Sequence, residues 1–208
     1  MKIERVRTYQ LRTELTPAEA FSFSQARVGI RTAMLVELVA DDGRSGWGAW
    51  FEEPVVPEDL EGYLQVKQAL GMPISGGEAE YARFGFRALV SRRCVDILQP
   101  DICGGGGFTE ALRIGALANT WGVTIYPHVW GSAVGLHASV QWAASLPPNP
   151  FAVVPAELWF ELDRTPNPFR ERLTTEPLER AGDIIEVPQR PGLGLEVDRS
   201  LLERYQVS

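Results

Sequence analysis

Cysteine and histidine are scarce, two of each in 208 residues. Cys94 and Cys103 lack metal-ligand spacing and flank an apolar stretch, so they read as two reduced thiols of a cytoplasmic protein. No apolar run approaches membrane-spanning length, and no signal-peptide pattern opens the chain, so no membrane partner is expected. Positive charge is not in excess either. The net charge is −7 with both signs mixed along the chain, which argues against nucleic acid as a partner. Four glycines stand at Gly104-Gly105-Gly106-Gly107, but no Lys-Ser or Lys-Thr follows them. A P-loop is therefore excluded, and a tight strand-to-helix turn is expected. There is no internal repeat beyond the strand–helix period described below, and no low-complexity segment. What remains, 45% hydrophobic and 23% charged residues, suits one sizeable core or two small ones.

The acids are placed with a rhythm. Trp50-Phe51-Glu52-Glu53-Pro54 is a short apolar run that ends in acids and is stopped by proline. Pro73-Ile74-Ser75-Gly76-Gly77-Glu78 and Val95-Asp96-Ile97-Leu98-Gln99-Pro100-Asp101 end the same way. Val123-Thr124-Ile125-Tyr126-Pro127-His128 ends in a histidine, and Leu158-Trp159-Phe160-Glu161 ends in an acid again. From Glu52 the steps are 26, 23, 27 and 33 residues, each about one strand–helix unit. One ionisable group at the C-terminal end of each successive strand is how a parallel α/β barrel builds a site.

The segments between fit that rhythm. Pro57-Glu58-Asp59 opens a helix that Gly71 closes. Tyr81 to Arg93 is the next. A third starts near Thr109, with Ala111, Ile114, Ala118 and Trp121 on one face. Ser132 to Ser145 is the fourth, closed by Pro147-Pro148. The start of the chain differs. Residues 2–12 and 30–40 alternate as strands, Asp41-Asp42-Gly43-Arg44 has turn chemistry, and Gly46-Trp47-Gly48 begins a third strand. Residues 1–49 thus form a separate antiparallel unit with a long irregular loop. Residues 50–185 form a partial (β/α) barrel. Residues 186–208 carry a Pro/Gly-rich tail, a short strand and a terminal helix from Ser200. Five barrel-type strands are countable, whereas a closed barrel needs eight. Two unpaired sheet edges follow, at 50–52 and 158–162, and with them a possible homo-oligomer.

These motifs resemble the enolase superfamily, in its mandelate racemase and muconate-lactonising branch. Trp50-Phe51-Glu52-Glu53-Pro54 is similar to the family's fourth barrel strand, and Gly77-Glu78 to the end of its fifth. Gln99-Pro100-Asp101 and Pro127-His128-Val129-Trp130-Gly131 resemble the sixth- and seventh-strand Asp–His dyad, and Glu161 the eighth-strand acid. Glu78-Ala79-Glu80-Tyr81-Ala82-Arg83-Phe84 and Asp163-Arg164-Thr165-Pro166-Asn167-Pro168 look closest to galactarolactone cycloisomerases and sugar-acid dehydratases. The resemblance implies α/β architecture, strands four to eight of a TIM-type barrel with part of an α+β cap. It implies a lyase or isomerase that abstracts the proton α to a carboxylate of a sugar acid or lactone. It also implies Mg²⁺ as cofactor, with Glu52 and Glu78 as metal ligands. His128 would be the base, Asp101 would orient it, and Glu161 would hydrogen-bond the enediolate.

The same resemblance exposes a gap. Between Gly48 and Trp50 the family places its cap helices and barrel strands one to three, and here stands Ala49 alone. At roughly 30 residues per unit, about a hundred residues are absent. With them go the third-strand aspartate of the metal triad and the second-strand lysine motif. Gly104 also stands where relatives carry a basic residue near the substrate. The expectation is an impaired enzyme, with a non-catalytic remnant or truncated gene product as the alternative.

Each residue also has a plainer reading. Acids at strand ends cap helices or are merely solvated. Glu161 can instead pair with Arg164, and Glu53 can face outward to a basic side chain. His137, inside a helix, is structural. Phe21 and Phe23 either cover the substrate, as the family's cap loop does, or simply pack.

Overall fold

The computed structural model describes residues 2–14, 21–23, 26–28, 30–48, 50–152, 158–163, 166–178, 180–181 and 184–207. The chain opens with an antiparallel sheet of β1 (Ile3–Glu14), β4 (Ile30–Ala40) and β5 (Ser45–Gly48), in the order β1-β4-β5. A hairpin of β2 (Phe21–Phe23) and β3 (Ala26–Val28) lies in the stretch expected to be irregular. The side chains of Phe21 and Phe23 lie outside the described residues.

From Trp50 the pattern changes to alternating strands and helices. The elements are β6 (Phe51–Glu52), α1 (Leu60–Ala69), β7 (Ile74–Gly76), α2 (Ala82–Ser91), β8 (Ile97–Leu98), α3 (Gly107–Trp121), β9 (Thr124–Ile125) and α4 (Ala133–Ser145). The strands form one parallel sheet in sequence order, β6-β7-β8-β9. This is a partial α/β barrel. Asp59 starts α1, its carboxylate accepting from the Gly62 N–H at 2.8 Å. α2 has no side-chain cap of its own. Glu110 of α3 supplies it by accepting from the Arg83 N–H, and Arg83 and Arg113 also pair with it. That Arg83 backbone bond and the two guanidinium groups hold the Glu110 carboxyl down to about 2.

Register decides what each strand buries. Phe51, Ile74, Leu98 and Ile125 face the helices, where they meet Tyr63, Phe86, Leu89, Val90, Ile114, Ala118 and Trp142. Each buried Ile, Leu, Val or Phe stabilises by about 1.5–3 kcal/mol. Alternate residues Glu52, Ser75, Ile97 and Thr124 form one row on the opposite face. Helix α4 is buried on most sides. Trp142 and Ala138 enter the main core, while Leu136 and Val140 meet Phe160, Leu162, Leu178, Ile185 and Val187. Trp121, expected on the buried face of α3, instead stands exposed against the Arg93 guanidinium.

The expected fifth strand at 158–162 is not one. Among the described residues no strand runs there, and the parallel sheet has four members. The side chains still alternate. Phe160 and Leu162 pack toward α4, whereas Trp159 lies edge-on to Trp50. The apolar pattern places the segment without the ladder hydrogen bonds that define a strand. The remainder is α5 (Pro168–Glu171), a hairpin of β10 (Arg180–Ala181) and β11 (Ile184–Ile185), and α6 (Arg199–Tyr205). Among the described residues no helix is long and apolar enough to cross a membrane.

Candidate active site

The C-terminal strand ends meet at one site. Past the ends of β8 and β9, Asp101 and His128 form an isolated parallel bridge that extends the ladder. His128 Nδ1 and Asp101 Oδ2 are 3.0 Å apart. An ionised carboxylate only accepts, so Nδ1 carries the proton and the lone pair of a neutral ring sits on Nε2. That nitrogen faces Glu78, 3.4 Å from its Oε2. The other Asp101 oxygen accepts from the backbone N–H groups of Cys103 (2.7 Å) and Gly104 (3.2 Å). The glycine run is therefore a turn folded onto Asp101. Of its N–H groups, that of Gly104 goes to the Asp101 carboxylate, and those of Gly105 and Gly107 go to the Asp101 and Ile102 carbonyls.

The electrostatics follow from this packing. Burial pushes the Asp101 carboxyl up, but the His128 bond and the Gly104 and Cys103 N–H groups outweigh it, leaving it below the usual aspartate value. The bond to Asp101 raises His128 above an ordinary histidine. Burial opposes this, and the negative charges of Glu78, Glu161 and Asp101 add to it. Glu161 reaches solvent yet is raised, by partial burial first and then by Glu52, Glu78 and Asp163, with His128 opposing.

Glu52, at the end of β6, accepts from Gln99 Nε2 at 2.5 Å. Gln99 is buried, and its Oε1 has no protein partner. Glu53 does not pair outward with a base. Its Oε1 accepts from the Gly77 N–H at 2.7 Å, and the buried Tyr63 hydroxyl stands near it over Gly76. Trp50, Tyr126 and Trp159 form an aromatic wall, with ring centroids 5.5 Å apart for Trp50–Tyr126 and 6.4 Å for Trp50–Trp159. Asp163 makes a buried ion pair with Arg170. The alternative partner of Glu161, Arg164, lies outside the described residues. His137, inside α4, is buried with Nδ1 3.3 Å from the Leu193 carbonyl.

Asp101, Glu78 and Glu161 are thus brought around His128, while Glu52 lies off it, bonded to Gln99 and acting on Glu161. Sequence reading missed Gln99, Tyr63, the clamp made by Glu53 and the aromatic wall. Gln99 carried a signal, since it lies two residues before Asp101 and so on the same strand face.

The profile of the family described as "Enolase C-terminal domain-like" matches residues 45–201. The chain belongs to the enolase superfamily. Among curated relatives, the D-galactarolactone cycloisomerase of Agrobacterium fabrum is 45% identical over 80% of this chain and 44% of its own length. The arabinonate dehydratase of Saccharolobus solfataricus is 31% identical over 76% of this chain and 40% of its own. Among solved structures, the 3,6-anhydro-D-galactonate cycloisomerase of Zobellia galactanivorans is 44% identical, with a TM-score of 0.67, covering 76% of this chain and 42% of that one. This enolase-superfamily chain therefore spans less than half the length of these relatives.

The superfamily resemblance implies Mg²⁺, and the residues present do not make a cage for it. Mg²⁺ favours octahedral oxygen coordination. Glu52 and Glu78 are suitable donors, but each faces another partner, Gln99 and His128 respectively. Among the described residues, no group of three or more His, Cys, Asp or Glu is arranged to hold a metal ion.

Proposed function

We propose that this chain carries the proton-transfer half of a sugar-acid lyase or isomerase site, without the charge-stabilising half. The observation that carries the reading is the Asp101–His128 pair at 3.0 Å, at the C-terminal ends of adjacent parallel strands. Asp101 holds the ring so that Nε2 faces the site, where a neutral imidazole removes the proton α to a substrate carboxylate. Glu161 supplies the hydrogen bond to the developing enediolate, its raised pKa favouring the protonated donor form. The relatives' names, D-galactarolactone cycloisomerase and arabinonate dehydratase, support sugar acids or their lactones as substrates. Dehydration and cycloisomerisation share this first step.

The missing half sets the rate. By the family resemblance, Glu52 and Glu78 would hold a Mg²⁺ that would supply charge stabilisation, but they are two carboxylates where a triad is expected. Losing one oxyanion donor from a complete site costs about a hundred- to a thousandfold. We therefore propose that the chain binds Mg²⁺ poorly and turns over little. The test is isotope exchange at the α-carbon of galactarate or its lactone in deuterated water. Exchange is expected to be slow or absent in the 208-residue chain. It should return when the segment between Gly48 and Trp50 is restored, and then depend on Glu52, Glu78 and His128. Restored exchange should rise with pH as His128 loses its proton. Exchange by the short chain at an enzyme's rate, abolished by His128→Asn, would overturn this reading.

A further inference from the structure

The parallel ladder between β6 and β7 ends in an unusual way. The Phe51 N–H donates to the Pro73 carbonyl at 3.0 Å, and the Glu53 N–H to the Ser75 carbonyl at 3.1 Å. In a ladder that continued, the next N–H, that of Gly77, would find the main-chain carbonyl of Glu53. Glu53 has instead left strand conformation, with φ at 42°. The Gly77 N–H is accepted by its side-chain Oε1 at 2.7 Å. A left-handed conformation is costly for a residue with a Cβ, more so before a proline such as Pro54. Something must hold it there.

Two features do. Tyr63, buried in α1, brings its hydroxyl near the Glu53 carboxylate, over Gly76. Gly76 leaves room for both groups. A Cβ there would stand 2.7 Å from the Tyr63 hydroxyl and 2.9 Å from Glu53 Oε1. The carboxylate thus replaces one main-chain rung and joins two chain ends. On one side of the join is Glu52, and on the other is Glu78.

We propose that Glu53 is a positioning residue, its carboxylate holding the Gly77 N–H, next to the Tyr63 hydroxyl, so as to fix where Glu52 and Glu78 leave the sheet. This rests on the reading of Glu52 and Glu78 as site carboxylates. Glu52 then meets Gln99, and Glu78 meets His128.

The test uses isotope-labelled chain and nuclear magnetic resonance, with no substrate. It therefore succeeds or fails independently of the α-exchange assay. Glu53→Ala should raise hydrogen exchange at the Gly77 amide by roughly ten- to a hundredfold, the worth of a bond to a charged acceptor. It should also shift the side-chain amide signals of Gln99, because Glu52 moves. Glu53→Gln retains an acceptor oxygen and should restore both. A merely structural contact would change Gly77 exchange and leave the Gln99 signals in place. Where Glu53→Ala does not fold, Glu53→Gln and Tyr63→Phe decide. The first should keep both signatures, and the second should speed Gly77 exchange by removing the polar group that stands near the carboxylate. Unchanged Gln99 signals in Glu53→Ala, loss of both signatures in Glu53→Gln, or unaltered Gly77 exchange in Tyr63→Phe would each overturn the proposal.

Discussion

Asp101→Asn probes the site most directly, because Asp101 is tied on both oxygens. One oxygen holds His128 Nδ1 at 3.0 Å, and the other takes two backbone N–H groups. Asparagine keeps an oxygen for the backbone, but its NH₂ then meets Nδ1 and demands the other tautomer. A hydrogen bond to a charged group contributes about 1.5–3 kcal/mol and a neutral one about 0.5–1.5. The expected loss is therefore about 1–2 kcal/mol, or about 2–8 °C in Tm for a chain of this size. Both side chains are mostly shielded, with exposures of 11% and 20%, so solvent screening removes little of this.

The pH dependence has a definite sign. His128 is raised in the fold, chiefly by Asp101. Its stabilisation is complete below the unfolded histidine value and fades as pH rises through the folded one. Asp101 ends below its ordinary value, burial being outweighed by His128 and the turn N–H groups. Its stabilisation is present above the unfolded aspartate value and is lost as pH falls through the folded one. The gap between wild type and Asp101→Asn should thus be widest between the unfolded aspartate and histidine values, narrow as pH rises through the folded His128 value, and be lost as pH falls through the folded Asp101 value. Thermal unfolding across that range measures it, and the imidazole resonances of His128 should titrate lower in the variant. Parallel stability curves together with an unchanged His128 titration would refute the pairing.

Three further outcomes are expected. Phe86→Ala should cost about 3–5 kcal/mol by emptying the α2 contact with the sheet, read from denaturant unfolding; Phe86 is fully buried. Calorimetric titration with Mg²⁺ should show no tight saturable site, and a micromolar Kd would refute the incomplete cage. The sheet edge at β6 and the edge of β9 left unpaired by 158–162 should promote self-association, whereas a stable, cooperatively folding monomer in sedimentation would count against it.

Much was legible before any coordinates because it is local. The strand–helix order from Trp50, the helix at Asp59 and the buried face of Ala111, Ile114 and Ala118 follow from short-range spacing and end signals. The order of the strand-end groups Glu52, Glu78, Asp101 and His128 needed only the rule that parallel strands present their C-terminal ends together, whereas Glu161 comes from a segment that is not a strand. The apolar run at 158–162 reads in the sequence as a strand. It could not tell whether a ladder forms, because backbone pairing depends on how closely the neighbouring edge approaches.

Side-chain partners were decided by the tertiary structure alone. Glu53 looks in the sequence like a solvent-facing neighbour of Glu52, but the end of β7 and the hydroxyl of Tyr63 meet it after the strands align. Gln99 reaches Glu52 across 47 residues of chain, and Trp50 meets Tyr126 and Trp159 from three separate segments. Periodicity in one segment determines which face a residue takes. What it touches on that face is determined by which other segments the fold brings to the same end of the sheet.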